Sequence, residues 1–475
     1  MKTTSRFYSS LSLLIILNAI VKPVWIFGID RQVQNEVGTG AYGVYFSILN
    51  LSIVLSFLND WGLTVFYNRQ LAATNELATD NPGSFVFLKL LFGLLYAAVV
   101  FLAAFIAGIK RWDIVVSVVL IQFFTSLFVF FRAIITAQQW FYTDAWLSVL
   151  DKLLMIVVCI PFLYLPAFGR SMTVGRFLIL QVSCTAIAML VALAFLVFRK
   201  FSFSFIKLWP GKYVFKSALP FAIIVLLMSC HARIDGFLLE RMSGAGEAGK
   251  YAGAYRLLDA ANMISYLFGS FLLPYLARNQ ENSMVTANVV LNIRHVLVVF
   301  SITFSCIVIF LAPWIQKILY HHEEPGYAEV LQWCVPALIS YSLIQIYGTV
   351  MTATGHIIPF IYITLFSVVV NILLNILLIP SFGAKGSCWA ALITQLFSGL
   401  GTIWYNRKKL NIPVDIRSGL MYIFIAGLVC IVLYVSQGWL LSKWIIIMAT
   451  GGTALLLLWL TKLVDLKAWR FSIRQ

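Results

Sequence analysis

The chain has 475 residues, of which 61% are hydrophobic and 11% charged, and it carries a formal net charge of +16. A soluble domain holds about 25% charged and 45–50% apolar residues, so an aqueous globule is excluded and most of this chain is solvated by lipid. The positive charge does not indicate nucleic-acid binding, because no basic segment is large enough to form a domain.

A hydrocarbon core about 30 Å thick requires roughly 20 mostly apolar residues per crossing helix. Lipid excludes open sheets, and the apolar runs exceed the roughly ten-residue alternating strands of an outer-membrane barrel. The runs predict an all-α, polytopic membrane protein of about 14 transmembrane helices. In chain order these are 8–28, 43–62, 85–108, 113–137, 146–168, 174–198, 214–238, 252–276, 290–312, 328–352, 357–380, 386–405, 418–437 and 443–463. The first run follows Lys2 and Arg6 as a signal peptide would. It lacks a small-residue cleavage site and is about twice the length of an h-region, so it reads as an uncleaved first helix. Connections are short, the longest being Arg69–Ser84 and the basic stretch Arg199–Lys216, and none can house a nucleotide-binding or catalytic domain. The expected organisation is an N-terminal six-helix bundle (1–198), a basic linker (199–213), a second six-helix bundle (214–405) and two additional helices with a basic tail (406–475).

Lys and Arg counts orient the chain. With the N-terminus inside, the inner connections and tails hold eighteen of them and the outer connections nine, so both termini are expected in the cytoplasm. All seven cysteines lie in apolar segments without a C-x-x-C pair, which indicates small packing residues and neither disulfides nor a zinc site.

Gly38-Thr-Gly-Ala-Tyr-Gly-Val-Tyr45 opens the second helix and Gly244-Ala-Gly-Glu-Ala-Gly-Lys-Tyr251 the eighth, 206 residues later. Six helices separate the copies, which suits a transporter built from two halves of the same orientation. Both octets match G-x-G-x-x-G, and the second also reads G-x-x-x-x-G-K. A phosphate-binding loop would need a preceding strand and a Ser or Thr after the lysine, so tight interhelical turns are expected instead. His321-His-Glu-Glu324 reads as a solvated loop, not a metal site. Asn371 and Asn375 share one helical face, either as glue between helices or as the lining of a polar cavity.

A charge facing lipid near the midplane costs about 2.5 kcal/mol or more, so charges within spans should face a partner or a cavity. Lys89, Asp151, Lys152 and Arg176 lie near span ends, within reach of the interface by snorkelling. Lys22, Arg132, Arg233 and Arg256 lie deeper, and Asp235 and Asp259 are placed to neutralise part of that charge. Lys22, Arg233 and Arg256 fall at one depth in the outer part of their helices, with Arg132 in the inner half nearer Arg69 and Lys152. The expectation is a central cavity with cationic walls, suited to an anionic group such as a phosphate.

Three stretches carry a resemblance. They are Arg31, Tyr42-Gly-Val-Tyr45, Asp60-Trp-Gly-Leu63 and Asn68-Arg69; then Leu219-Pro220-Phe221, Arg233-Ile-Asp235, Gly249-Lys-Tyr251, Ala254-Tyr-Arg256 and Pro274; and finally Gly383-Ala-Lys-Gly-Ser-Cys-Trp-Ala390. In these the chain resembles the polysaccharide (Wzx-type) flippase branch of the multidrug/oligosaccharidyl-lipid/polysaccharide (MATE-like) exporter superfamily. The resemblance implies two six-helix bundles around a central cavity plus two C-terminal helices. It also implies alternating access that carries an undecaprenyl-diphosphate-linked oligosaccharide across the bacterial inner membrane, alongside polysaccharide polymerase or export machinery. On matched positions it implies Arg31, Arg233 and Arg256 for the diphosphate or its approach, and a supporting Asp60–Arg69 pair. No catalytic residue, cofactor or metal is expected, and the expected drive is an H+ or Na+ gradient, the membrane potential or downstream consumption of the substrate. The alternatives are a lipid II flippase, a cation-coupled multidrug exporter, which would favour acidic cavity residues, and a membrane glycosyltransferase or polymerase, which would need a long external loop.

Overall fold

The structure, a computed structural model, describes residues 2–64, 67, 82–165, 172–201, 211–278, 283–321, 325–413, 415–437, 442–461 and 463. The regular structure of these residues is helical. α1 (Lys2–Pro23) continues through a π-helical segment, Val24–Asp30, into α2 (Arg31–Val37). Then follow α3 (Thr39–Leu55), α4 (Phe57–Asp60), α5 (Pro82–Ile106), α6 (Trp112–Ala137), α7 (Phe141–Tyr164), α8 (Val174–Phe198), α9 (Gly211–Ser243) and α10 (Ala245–Arg278). The remainder is α11 (Ser283–Tyr320), α12 (Pro325–Cys334), α13 (Ala337–Ala353), α14 (Ile357–Lys409), α15 (Ile416–Gln437) and α16 (Lys443–Leu460).

Among the described residues, 11 helices are long and apolar enough to cross a membrane. One of them, α14, has 53 residues and folds at Gly383, where φ is 53° and ψ −132°. At about 1.5 Å per residue it would span about 80 Å unbroken, more than twice the hydrocarbon core, so it makes two passes. Adding the pass of α3 with α4 and that of α10 recovers the expected fourteen. The chain is therefore an all-α polytopic membrane protein. Its outer surfaces are apolar in long stripes, as for Leu94, Phe105 and Ile106 on α5, which are 70%, 72% and 76% exposed. Apolar area on that scale calls for lipid contact.

Contacts divide the chain into two compact units, Met1–Gly249 and Lys250–Gln475. In the first, α1 packs on α7, α7 on α8, α6 on α8 and α3 on α9. α8 presents Ala188 and Ala192, small buried residues one turn apart that share a core with Leu127, Phe128 and Phe131 of α6, which lets the helices approach closely. α9 lies against α3 at Gly236, where a Cβ would fall 2.2 Å from Asn50 Nδ2 and 2.7 Å from Phe46. In the second unit α13 packs along α14, and α11 contacts α12, α13, α15 and α16. The last two helices join this core through Ile425, Val429, Leu433, Ile446 and Ala454.

The repeated octets have the same backbone. Gly38 and Gly244 both adopt positive φ, 83° and 88°. Each amide donates to the carbonyl four residues earlier, Gly38 to Gln34 (3.1 Å) and Gly244 to Glu240 (3.0 Å). Each carbonyl then accepts from the first turn of the next helix, from Tyr42 N (3.1 Å) and Ala248 N (3.2 Å). Both octets are thus helix–helix junctions where glycine supplies the left-handed residue. They are not phosphate loops, since no strand precedes either among the described residues.

Candidate functional site

In the first unit the fold gathers charge around α1, α6 and α7. Asn18, buried on α1, donates to Ser148 Oγ (2.8 Å) on α7 and fixes the rotation of α1. One turn later Lys22 lies in the fields of Asp151, Lys152 and Arg132. Lys152 Nζ stands 3.1 Å from Asp151 Oδ2 and 5.1 Å from the centre of the Trp25 ring. Trp25, in the π-helical segment, stacks on Phe177 of α8 with ring centres 5.9 Å apart. Arg132 grips Asp144 with two parallel bonds, Nε to Oδ1 at 2.8 Å and Nη2 to Oδ2 at 3.2 Å. Both paired cations also face aromatic rings, Arg132 at 5.7 Å from Phe128, a favourable arrangement away from water.

Three cations and two carboxylates leave the cluster one positive charge in excess. Among the described residues Lys22 has no carboxylate within ion-pair distance, whereas Arg132 and Lys152 are paired. The sequence reading placed Lys22 in the outer third of its helix and Arg132 in the inner half of another. The structure brings both into one cluster because helix 1 does not end at residue 28. It continues to Val37 through the π-helical turn, which moves Lys22 to mid-helix. A π-helical insertion in a long helix often marks a functional position.

Other expected site residues fall elsewhere. Arg31 opens α2 directly after the π-helical segment, with Nη2 3.5 Å from Gln32 Oε1. Its neighbour Asp30 is buried and accepts from Tyr42 Oη at 2.8 Å, which gives the first tyrosine of Tyr42-Gly-Val-Tyr45 a packing role. On α9, Arg233 is half-buried and Asp235 fully buried. In the second unit Arg256 Nη1 and Asp259 Oδ2 are 4.0 Å apart on α10.

Asp60 is bound to Lys89, and Arg69, its expected partner, lies outside the described residues. Lys89 Nζ reaches Asp60 Oδ1 at 2.5 Å, Ser126 Oγ at 2.8 Å, Thr64 Oγ1 at 3.1 Å and Ser126 O at 3.2 Å. Its side chain is 1% exposed, so the expected snorkelling is wrong: the ammonium finds its partners inside the bundle. The Asp60-Trp-Gly-Leu63 turn makes this possible. Trp61 and Gly62 are both left-handed, with φ 48° and 73°. The chain doubles back, so that Asp60 accepts from Thr64 N (3.4 Å) and the Thr64 hydroxyl.

Asn371 and Asn375 hold the two passes of α14 together. Asn371 donates to Thr394 Oγ1 (3.2 Å), and Ser387 Oγ donates to Asn375 Oδ1 (2.9 Å). Both asparagines are 0% exposed, which favours glue over a cavity lining. Among the described residues no group of three or more potential metal ligands exists, and residues 322–324 of the His-His-Glu-Glu stretch lie outside them. The sequence reading missed Asp144, although Arg132 and Asp144 flank one tight turn. It also missed a buried polar knot in the second unit, where Arg294 Nη1 donates to Tyr347 Oη (3.1 Å) and His295 Nδ1 lies 2.6 Å from Tyr422 Oη.

The sequence profile described as "Polysaccharide biosynthesis protein" matches residues 8–280, more than half of the chain. The chain belongs to this polysaccharide biosynthesis family. No curated protein sequence matches it significantly. Among solved structures, the lipid II flippase MurJ in an inward closed conformation superposes with a TM-score of 0.73 at 12% identity, over 94% of this chain and 97% of that one. A mutant of the Vibrio cholerae MATE transporter VcmN gives 0.60 at 14% identity over 87% and 99%. A MOP superfamily transporter from Pyrococcus furiosus gives 0.59 at 13% identity over 87% and 97%. At these identities the likeness establishes the fold, and this family member has the fold of the exporter superfamily.

Proposed function

We propose that this protein is a flippase that carries an undecaprenyl-diphosphate-linked oligosaccharide from the cytoplasmic to the outer leaflet by alternating access. The supporting observation is the one-charge positive excess at Lys22, held in the membrane beside two cations that are already paired. A membrane-buried charge without a partner is costly, and a diphosphate supplies the missing anion. Arg132 and Lys152 sit at the edge of that site and contribute field more than contact. Arg31, Arg233 and Arg256 serve the approach of the head group, with Asp235 and Asp259 limiting its residence. Both termini face the cytoplasm in this reading, consistent with the excess of Lys and Arg in the inner connections.

The family supports a lipid-linked saccharide substrate over a drug, and the sign of the cluster points the same way. A carrier of cationic drugs would leave a carboxylate in excess, not a lysine. The fold favours a carrier over a glycosyltransferase or polymerase, which act downstream as partners. The drive is an ion gradient or the membrane potential, since moving one charge through 100 mV is worth about 2.3 kcal/mol. The test is flipping of a fluorescent undecaprenyl-diphosphate oligosaccharide in proteoliposomes. Lys22→Ala should abolish it and Lys22→Arg should retain it. Wild-type flipping by a folded Lys22→Ala, Arg132→Ala double variant would overturn the assignment. Transfer of lipid II at the same rate would identify the carrier as a lipid II flippase.

A further inference from the structure

The polar knot of the second unit holds a cation that no carboxylate among the described residues neutralises. Arg294 is 4% exposed. Its Nη1 donates to Tyr347 Oη (3.1 Å) on α13, and Tyr422 of α15 is its second polar neighbour. Arg294 Nε is buried and has no hydrogen-bond partner among the described residues. His295 Nδ1 holds the Tyr422 hydroxyl at 2.6 Å. The carboxylate whose field reaches this knot is Asp415, which is exposed and accepts from the Arg417 amide (3.0 Å). The surroundings are apolar, since Ile293, Leu297, Val350 and Ile412 belong to the same buried cluster as Tyr347. A guanidinium offers five N–H donors and no acceptor, and each phenol adds an O–H. Among these groups donors outnumber acceptors, and one positive charge is in excess. A water would satisfy Nε but would leave the charge, and a buried charge without a counter-ion is costly.

We propose that Arg294, Tyr347 and Tyr422 form a phosphate-binding site at the inner end of the second unit. Arg407, Lys408 and Lys409 at the end of α14 and Arg417 at the start of α15 are all exposed and adjoin the knot through the chain itself. Asn406, just before the first three, donates to Tyr347 O (3.3 Å). Ser418, just after Arg417, is buried one turn before Tyr422 on the same face of α15. A collar of four cations beside a buried guanidinium favours a polyatomic anion with several oxygens over a halide. The span Ala287–Tyr320 has 34 residues, about 51 Å against a hydrocarbon core of about 30 Å, so its first turns lie outside the core. Arg294 lies about 10 Å along the helix from Ala287, and Tyr422 about 9 Å from Ile416. With cytoplasmic termini, that depth is within reach of the inner leaflet's head groups. Two sources carry the group there, a membrane phospholipid and free phosphate. Once occupied, the site ties α11, α13 and α15 together and so fixes the terminal helices to the bundle. It does not depend on which cargo is carried.

The test follows thermal unfolding of the full-length protein in a phosphate-free maltoside detergent at constant ionic strength. One arm exchanges sodium chloride for sodium phosphate. The other exchanges diacylglycerol, which lacks phosphate, for phosphatidylglycerol. At least one phosphate-bearing probe should raise the unfolding temperature saturably, and the probe that does so names the source. Arg294→Gln should weaken that binding about tenfold or more. Tyr422→Phe keeps the guanidinium and removes one hydroxyl, so it carries the test if Arg294→Gln does not fold, and it should weaken binding about threefold to tenfold. No saturable shift with either probe would overturn the proposal, as would unchanged affinity in these variants. Loss of the shift only when Arg407, Lys408 and Lys409 are all replaced by glutamine would also overturn it, because attraction to an exposed basic surface would then be the whole effect. None of these readouts involves flipping, so the outcome bears on this site alone.

Discussion

The Asp60–Lys89 pair predicts an asymmetric response to mutation. Removing one partner of a buried pair strands the other and costs about 3–5 kcal/mol when that group has no water. Lys89 is 1% exposed and Asp60 28%. Asp60→Ala strands a fully buried ammonium that keeps only the Ser126 and Thr64 oxygens, so it should fall within that range. Lys89→Met strands a carboxylate that is partly exposed and still bonded to Thr64, so about 1–2 kcal/mol is expected, close to the cost of one lost charged hydrogen bond. The combined Asp60→Ala, Lys89→Met variant strands no charge and should be less destabilised than Asp60→Ala. The assay is unfolding of the purified protein in mixed micelles with increasing SDS, read by tryptophan fluorescence over the full double-mutant cycle. A coupling energy of about 2 kcal/mol is expected. Single effects that add within about 0.5 kcal/mol would refute the reasoning, because independent sites behave that way.

Arg132→Lys should retain charge but lose the two-bond grip on Asp144, lowering stability in the same assay by about 1–2 kcal/mol, with Asp144→Asn at least as costly. Cys306 Sγ and Cys430 Sγ are 3.6 Å apart, so a mild membrane-permeable oxidant should join α11 to α15. After protease cleavage in the 410–415 connection the two fragments should then comigrate on non-reducing gels, and separate migration would show that the two helices do not meet there. Asn375→Leu loses the Ser387 bond and leaves Asn371 poorly satisfied, for about 1–3 kcal/mol by SDS unfolding. Gly383→Ala forces an L residue into φ 53°, ψ −132°, and about 1–3 kcal/mol of destabilisation should follow in the same titration.

The membrane passes were legible because hydropathy over some twenty residues is a local property. Their ends were less so, for one recurring reason. An apolar run stops where a charge appears, but a helix continues if the charge finds a partner. α7 starts at Phe141 rather than 146, and Asp144 in its first turn is neutralised by Arg132. Helix 1 was expected to end at Gly28 and instead runs to Val37, with Asp30 buried under Tyr42. The 206-residue echo was legible because both copies face the same steric problem, a positive φ at the junction and a close approach one turn later.

The same distinction separates the parts of the site. Asp60, Gly62, Tyr42 and Gly43 stand in motifs, and each meets a geometric requirement. Asp60 accepts from Lys89 and Thr64, Gly62 reverses the chain, Tyr42 bonds Asp30, and Gly43 admits a neighbouring backbone. Requirements of this kind fix residue type at fixed spacing and so leave a pattern. Lys22, Arg132, Asp144 and Lys152 form a cluster whose net charge matters more than any single geometry. A net charge can be assembled from several helices in many ways, so it leaves no spacing to read, only unusual cost within an apolar span. Motifs therefore identify the scaffold, while the substrate's sign has to be argued from charges left over after pairing. Under the proposed function, the unpaired Lys22 therefore says more about the sign of the cargo than any of the arginines that the motifs supply.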